Sequence, residues 1–131
     1  MNASMIRNRY VGDSVATASP ARLVTMLYDR LVRDLATGEA ALAVSDLAAA
    51  NSALVHAQDI VWELAAGLDP TRWSGGPALA VLYQFILTEL LEANVKKNAA
   101  KVATVRELVE PLRDAWHEAA ELAGSLAAIP A

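Results

Sequence analysis

The sequence predicts an all-α protein, an antiparallel up-and-down four-helix bundle with a flexible N-terminal arm, and three observations carry that prediction. Apolar residues recur at alternating steps of three and four along four long stretches, the period of an amphipathic helix and not the alternation of a strand. Each stretch is bounded by cap or breaker residues: Ser19-Pro20, Ser45-Asp46, Asp69-Pro70 with Gly75-Gly76, and Asn98. The connections are short, which makes successive helices antiparallel neighbours.

Composition sets the outer limits. A chain of 131 residues that is 55% hydrophobic is large enough for one domain with its own core. The expected organisation is a single bundle domain over 1–131, with a mobile arm at 1–18, the bundle at 19–126 and a frayed tail at 127–131. A net charge of −4 gives no general attraction to nucleic acid or anionic lipid. Cysteine is absent, which excludes disulfides and thiolate chemistry. The opening MNASMIRNRY has no apolar core of a signal peptide, so a cytoplasmic location is expected.

Taken in order, the first helix starts with Ser19 as N-cap and Pro20 preset for the first turn, and runs to about Val44. Val24, Leu27, Tyr28, Leu31, Leu35 and Leu42 form its core stripe, with Asp29, Arg30, Arg33 and Asp34 on the opposite side. Gly38 interrupts it at a cost of about 1 kcal/mol against Ala. The second helix carries Leu47, Ala50, Leu54, Ala57, Val61, Leu64 and Leu68 as a regular seam. In the third, from Gly76 to Asn94, the stripe is Leu79, Leu82, Tyr83, Ile86, Leu90 and Ala93. The fourth follows Asn98 with Val102, Val105, Val109, Leu112, Trp116, Ala119 and Ala123, and Pro111 within it removes one backbone hydrogen bond. A kink there would leave a gap beside the helix.

Groups able to do chemistry are few. Asp114 and His117 stand three apart, with His56, Asp59 and Glu63 as further metal-ligand candidates, but a carboxylate bundle needs matching inward pairs on two helices. Trp116 takes the inward position beside Asp114 and His117, so no metal, cofactor or catalytic residue is expected. Neither a nucleophile elbow nor a glycine motif is present to position a serine. Lys96, Lys97, Lys101 and Arg106 form a basic cluster that reads as solvated surface near a helix C-terminus.

What stands out is surplus apolar surface. Val81, Phe85, Leu87 and Leu91 lie off the core stripe of the third helix, which carries no charge from Pro77 to Thr88, and Val55, Ile60 and Trp62 flank the seam of the second. That run, ending at Glu89 and Glu92, falls short of the ~20 apolar residues of a membrane span, so no membrane insertion is expected. A helix apolar on most of its faces is normally covered on most of them. The candidate partner-binding residues are therefore Val55, Trp62, Val81, Phe85 and Leu91. A structural homodimer or adaptor burying the same surface, or a metal-binding bundle, are the other readings these residues leave open.

The order of several motifs resembles one family, the flagellar export chaperones FliS. Tyr10-x-x-x-Ser14-Val15-x-Thr17-Ala18-Ser19-Pro20 followed by Met26-Leu27-Tyr28-Asp29 looks like the opening of that family. Ala57-Gln58-Asp59-Ile60-Val61-Trp62-Glu63-Leu64, Leu90-Leu91-Glu92-Ala93-Asn94 and Leu112-Arg113-Asp114-Ala115-Trp116 continue the likeness across nearly the whole chain. The resemblance implies a cytoplasmic chaperone, not an enzyme, whose partner is the disordered C-terminal segment of flagellin. It implies that binding prevents premature polymerisation and delivers flagellin to the type III export gate, with Ile6 and Tyr10 of the arm touching a gate component. The free protein is expected to be a monomer or a weak homodimer.

Overall fold

The computed structural model describes residues 20–127. The arm with Ile6, Tyr10 and the proposed cap Ser19, and the tail beyond 127, lie outside the described residues. Four helices follow one another: α1 (Pro20–Ala43), α2 (Leu47–Gly67), α3 (Gly76–Lys96) and α4 (Ala99–Ala127). Each packs on the next, and α4 closes the ring against α1. The contact between α3 and α4 is the loosest of the four.

The tight turns are built by backbone geometry. Ser45 and Lys97 both adopt the left-handed conformation, at φ 57° and 54°. In each turn the next amide reaches back to a helical carbonyl: Asp46 N–H donates to Ala41 at 2.9 Å and Asn98 N–H to Ala93 at 2.9 Å. Asp46 and Asn98 then cap the following helices, their side chains accepting from Ala49 N–H at 3.2 Å and Lys101 N–H at 3.1 Å.

The expected stripes form the core. Leu31, Leu35, Leu54, Val61, Ile86, Leu90, Val102, Val105 and Val109 are all fully buried. Ile60 and Leu87, which the sequence placed beside the stripes, are buried as well, because each faces a neighbouring helix across a close-packed seam. Gly38 explains one such approach: a Cβ there would sit 2.8 Å from Leu54 Cδ2, so the glycine lets α1 and α2 close. Tyr28 and Tyr83 share a buried hydroxyl–hydroxyl hydrogen bond of 2.6 Å, and Trp116 stacks on Tyr28 with ring centroids 6.3 Å apart.

Four expectations need correction. Leu47 is half exposed, since it begins α2 where the bundle ends. Ala119 and Ala123 are exposed, because the last turns of α4 pass beyond most of their neighbours. Asp34 is buried instead of solvated: it accepts from Arg30 Nε at 3.1 Å and also bonds His56 Nδ1. Pro111 leaves α4 a single helix, and both it and Glu107, whose carbonyl loses its donor, are exposed so that water can take that bond. At 21 residues α3 has the length and apolarity to cross a membrane, which the sequence reading denied it; in this fold Leu79, Tyr83, Ile86 and Leu90 put one of its faces in the core.

Candidate partner-binding surface

Among the five residues singled out by sequence, Val55 is 38% exposed, Trp62 54%, Val81 70%, Phe85 47% and Leu91 56%. They do not form one patch. Asn94 Nδ2 donates to Asn51 Oδ1 at 2.9 Å, which sets the register of α2 against α3. One turn from each asparagine, Leu91 and Val55 come level on the α2 edge of α3. Trp62, seven residues beyond Val55, continues that edge, and the exposed Leu47 begins it.

Val81 and Phe85 belong to the other edge. Lys101 on α4 donates to Glu89 at 3.0 Å and to Glu92 at 3.4 Å, so these carboxylates face α4. Phe85 precedes Glu89 by one turn and Val81 precedes Phe85 by another, which aligns both on the α4 side. Leu108, seven residues from Lys101 and seven from Ala115, lines the facing edge of α4 and is 37% exposed. This edge leads into an open groove of about 440 Å3 lined by Trp73, Leu79, Leu112, Ala115, Trp116 and Ala119. The groove lies just past Pro111, where the sequence anticipated a gap. Sequence reasoning missed Leu47, Leu108 and the highly exposed Val44 and Val95, although the same surplus of apolar residues off the core stripe was there to find them.

A second opening lies at the end of the bundle. Pro20, Leu23, Val24 and Leu27 of α1, Glu63, Leu64 and Gly67 of α2 with the following Leu68, Tyr83 and Trp116 line about 290 Å3 of largely apolar space. Gly76 holds the adjoining loop tight, since a Cβ would come within 2.5 Å of the Pro70 carbonyl oxygen.

The charged groups are mostly spent on one another. His117 bonds Asp29 on α1 at 2.7 Å, and Asp114 pairs with Arg113 at 2.9 Å, so the Asp114/His117 pair seen in the sequence is split. His56 goes to Asp34, and among the described residues no group of three or more His, Cys, Asp and Glu is placed to hold a metal ion. In the basic cluster Lys96 pairs with Glu92 at 2.6 Å, and Arg106 with Glu39 at 2.8 Å and Glu110 at 2.6 Å. These partners raise the Arg106 guanidinium further above its ordinary range and hold Glu92 below its own. Burial pushes both Tyr28 and Tyr83 hydroxyls up.

A ring of four helices with apolar edges left open and many of its charged groups paired with one another defines an all-α four-helix bundle. The comparisons with known proteins name the kind. The family model described as flagellar protein FliS matches residues 2–123, and the chain belongs to that family of flagellar secretion chaperones, which are not enzymes. It is 30% identical over 110 residues to the flagellar secretion chaperone FliS of Bacillus subtilis, covering 84% of this chain and 82% of that one. The Salmonella typhimurium chaperone of the same name is 32% identical over 112 residues, with 82% of each chain covered. That of Vibrio cholerae is 27% identical over 111 residues, covering 82% of this chain and 80% of its own. The fold itself matches a crystal structure described as a flagellar chaperone from bacteria, at a TM-score of 0.71 and 20% identity over 90% of this chain and 97% of that one.

Proposed function

We propose that this chaperone binds the disordered C-terminal segment of flagellin in the cytoplasm, keeps it from polymerising, and carries it to the flagellar export gate. The observation that carries the reading is the pair of exposed apolar edges flanking α3, with Val55, Trp62 and Leu91 on one and Val81 and Phe85 on the other. A partner that lay along both edges would bury the five side chains further, each worth up to ~1.5–3 kcal/mol for complete burial. Ordering the partner and losing its translational freedom offset a large share of that gain. Ile6 and Tyr10 of the N-terminal arm are proposed to contact the gate component.

Titration calorimetry of the purified protein with a flagellin C-terminal segment tests this, alongside light scattering of each species. The expected result is a one-to-one complex and a monomeric free protein. Absence of binding, or a stable free dimer that is disrupted by charges on α3, would assign the apolar edges to self-association.

A further inference from the structure

We propose that the groove between α1 and α2, at Arg30 and Arg33, is a site for a carboxylate of the bound segment, an aspartate or glutamate side chain. This rests on the proposed function and names one contact within it. The groove measures about 660 Å3 and is polar where the edges of α3 are apolar: Arg30, Arg33 and Thr37 line it from α1, and Asn51, Ser52 and His56 from α2. Arg33 follows Arg30 by three residues and Thr37 follows Arg33 by four, so the three share one strip of α1. The Asp34–His56 bond sets α1 against α2. One turn on in α1 and one turn back in α2, Thr37 and Ser52 come level across the groove.

Two guanidinium groups at that spacing repel each other unless an anion lies between them. The carboxylates nearest to them in the fold do not fill that place. Asp34 is buried, with one oxygen accepting from Arg30 Nε at 3.1 Å and the other bonded to His56 Nδ1, so it has nothing left for Arg33. Asp59 also lines the groove, but its Oδ2 is shut away from solvent without a partner, and burial pushes its carboxyl up from the usual range. Arg33 itself is exposed and, among the described residues, makes neither hydrogen bond nor ion pair. Its whole donor fork is therefore unspent, as are the terminal nitrogens of Arg30. The hydroxyls of Thr37 and Ser52 are exposed beside them, and Asn51, whose oxygen accepts from Asn94, keeps its amide donors. Such a donor set matches the two oxygens of a carboxylate, with which a charged donor bonds about twice as strongly as a neutral one. Val55 joins the groove to the proposed interface, since it lines the groove and belongs to the apolar edge of α2 against α3. A segment lying on that edge has the groove within reach across a single helix. One charged contact there would fix the register of a bound helix, which apolar contacts alone leave free to slide.

The test uses the full chain and a flagellin C-terminal segment in which each Asp is replaced by Asn and each Glu by Gln in turn. Arg33→Gln is expected to keep or raise the melting temperature, since it removes a repulsion, and to weaken binding of the wild-type segment about tenfold. Arg33→Lys should recover only part of that loss, because an ammonium group cannot present the fork. One substituted segment should show the same loss against the wild-type protein, with no further loss when both changes are combined. Raising NaCl from about 0.05 to 0.5 M should weaken the wild-type pair more than the Arg33→Gln pair. Equal affinities for wild type and Arg33→Gln would overturn the site while leaving the proposed function in place, as would a loss that no substituted segment reproduces. If the Arg33→Gln effect vanishes in an Asp13→Asn background, the carboxylate comes from this chain's own arm and the proposal is equally overturned. A wild-type protein that binds no segment at all withdraws both.

Discussion

Helices α1 and α3 are of similar length, 24 and 21 residues, and they treat their outward sides in opposite ways. On α1 several of the outward or flanking charges are tied to neighbours: Arg30 and His56 to Asp34, Asp29 to His117, and Glu39 to Arg106. On α3 the corresponding positions hold Val81, Phe85, Leu91 and Val95, with Glu89 and Glu92 drawn sideways to Lys101. The first pattern closes a surface against water. The second leaves one whose free energy falls when something apolar covers it. Within one bundle, then, paired charges occupy one outward side and uncharged apolar side chains another, and the second is the side proposed to take a partner.

The contrast can be sharpened at adjacent residues of α2, where Leu54 is 0% exposed and Val55 is 38% exposed. Leu54→Ala should cost about 2–5 kcal/mol of stability by leaving a cavity against Gly38. Val55→Ala should change stability by less than about 0.5 kcal/mol, as surface substitutions do, while weakening partner binding. Chemical denaturation of both variants with calorimetry of the partner segment checks the pair. Comparable stability losses would show that Val55 is core.

Phe85→Glu on one edge of α3 and Leu91→Glu on the other probe the proposed partner-facing side directly. Each should leave helicity and melting temperature nearly unchanged and weaken flagellin-segment binding more than tenfold, since a charge would be desolvated beneath the partner. If the partner uses only one edge, one of the two variants will bind normally. Unfolding of either would mark it as core.

Gly38→Ala tests the closed side. The added methyl must displace Leu54, whose Cδ2 would lie 2.8 Å away, so a loss of about 1–3 kcal/mol is expected despite the better helix propensity of Ala. A gain in stability would show that Leu54 moves freely. The tyrosine pair gives a pH counterpart. Both hydroxyls titrate higher when folded than when unfolded, so their contribution is intact below about pH 10 and declines above it, by about 1.4 kcal/mol per pH unit for each hydroxyl. Alkaline melts of wild type and of Tyr28→Phe/Tyr83→Phe measure this, and identical slopes would exclude it.

The helices were legible because caps and period act locally: Asp46, Asn98 and the Gly76 start of α3 sit where the sequence put them. Asp34 was not legible, because its partner His56 comes 22 residues later and only the tertiary fold brings the two together. Ala119 and Ala123 keep the core period whether or not a neighbour is present to cover them, so periodicity alone could not tell that α4 outlasts its neighbours. The exposed apolar residues were identified as a surplus, but not their division between two edges. That division depends on which helix lies on each side of α3, information carried by the Asn51–Asn94 and Lys101–Glu89 contacts and absent from a helical period.

The smallest expected effect concerns the residues that precede α1. Pro20 lines the opening at the end of the bundle together with Leu23, Val24 and Leu68, so the arm joins the bundle at the rim of an apolar cavity. A segment tethered there meets that cavity at an effective concentration near the millimolar range, enough for weak contacts by Ile6 or Tyr10 to compete with a partner. Competition of this kind lowers the partner's affinity by the fraction of molecules that are open. Deleting residues 2–16 should therefore leave the bundle folded and spare or slightly tighten flagellin-segment binding, while impairing gate docking or secretion. Circular dichroism, calorimetry and a secretion assay read the three effects separately. A severalfold loss of segment binding by a still-folded deletion variant would make the arm part of the binding surface, and the contrast between closed and open faces would then have to include it.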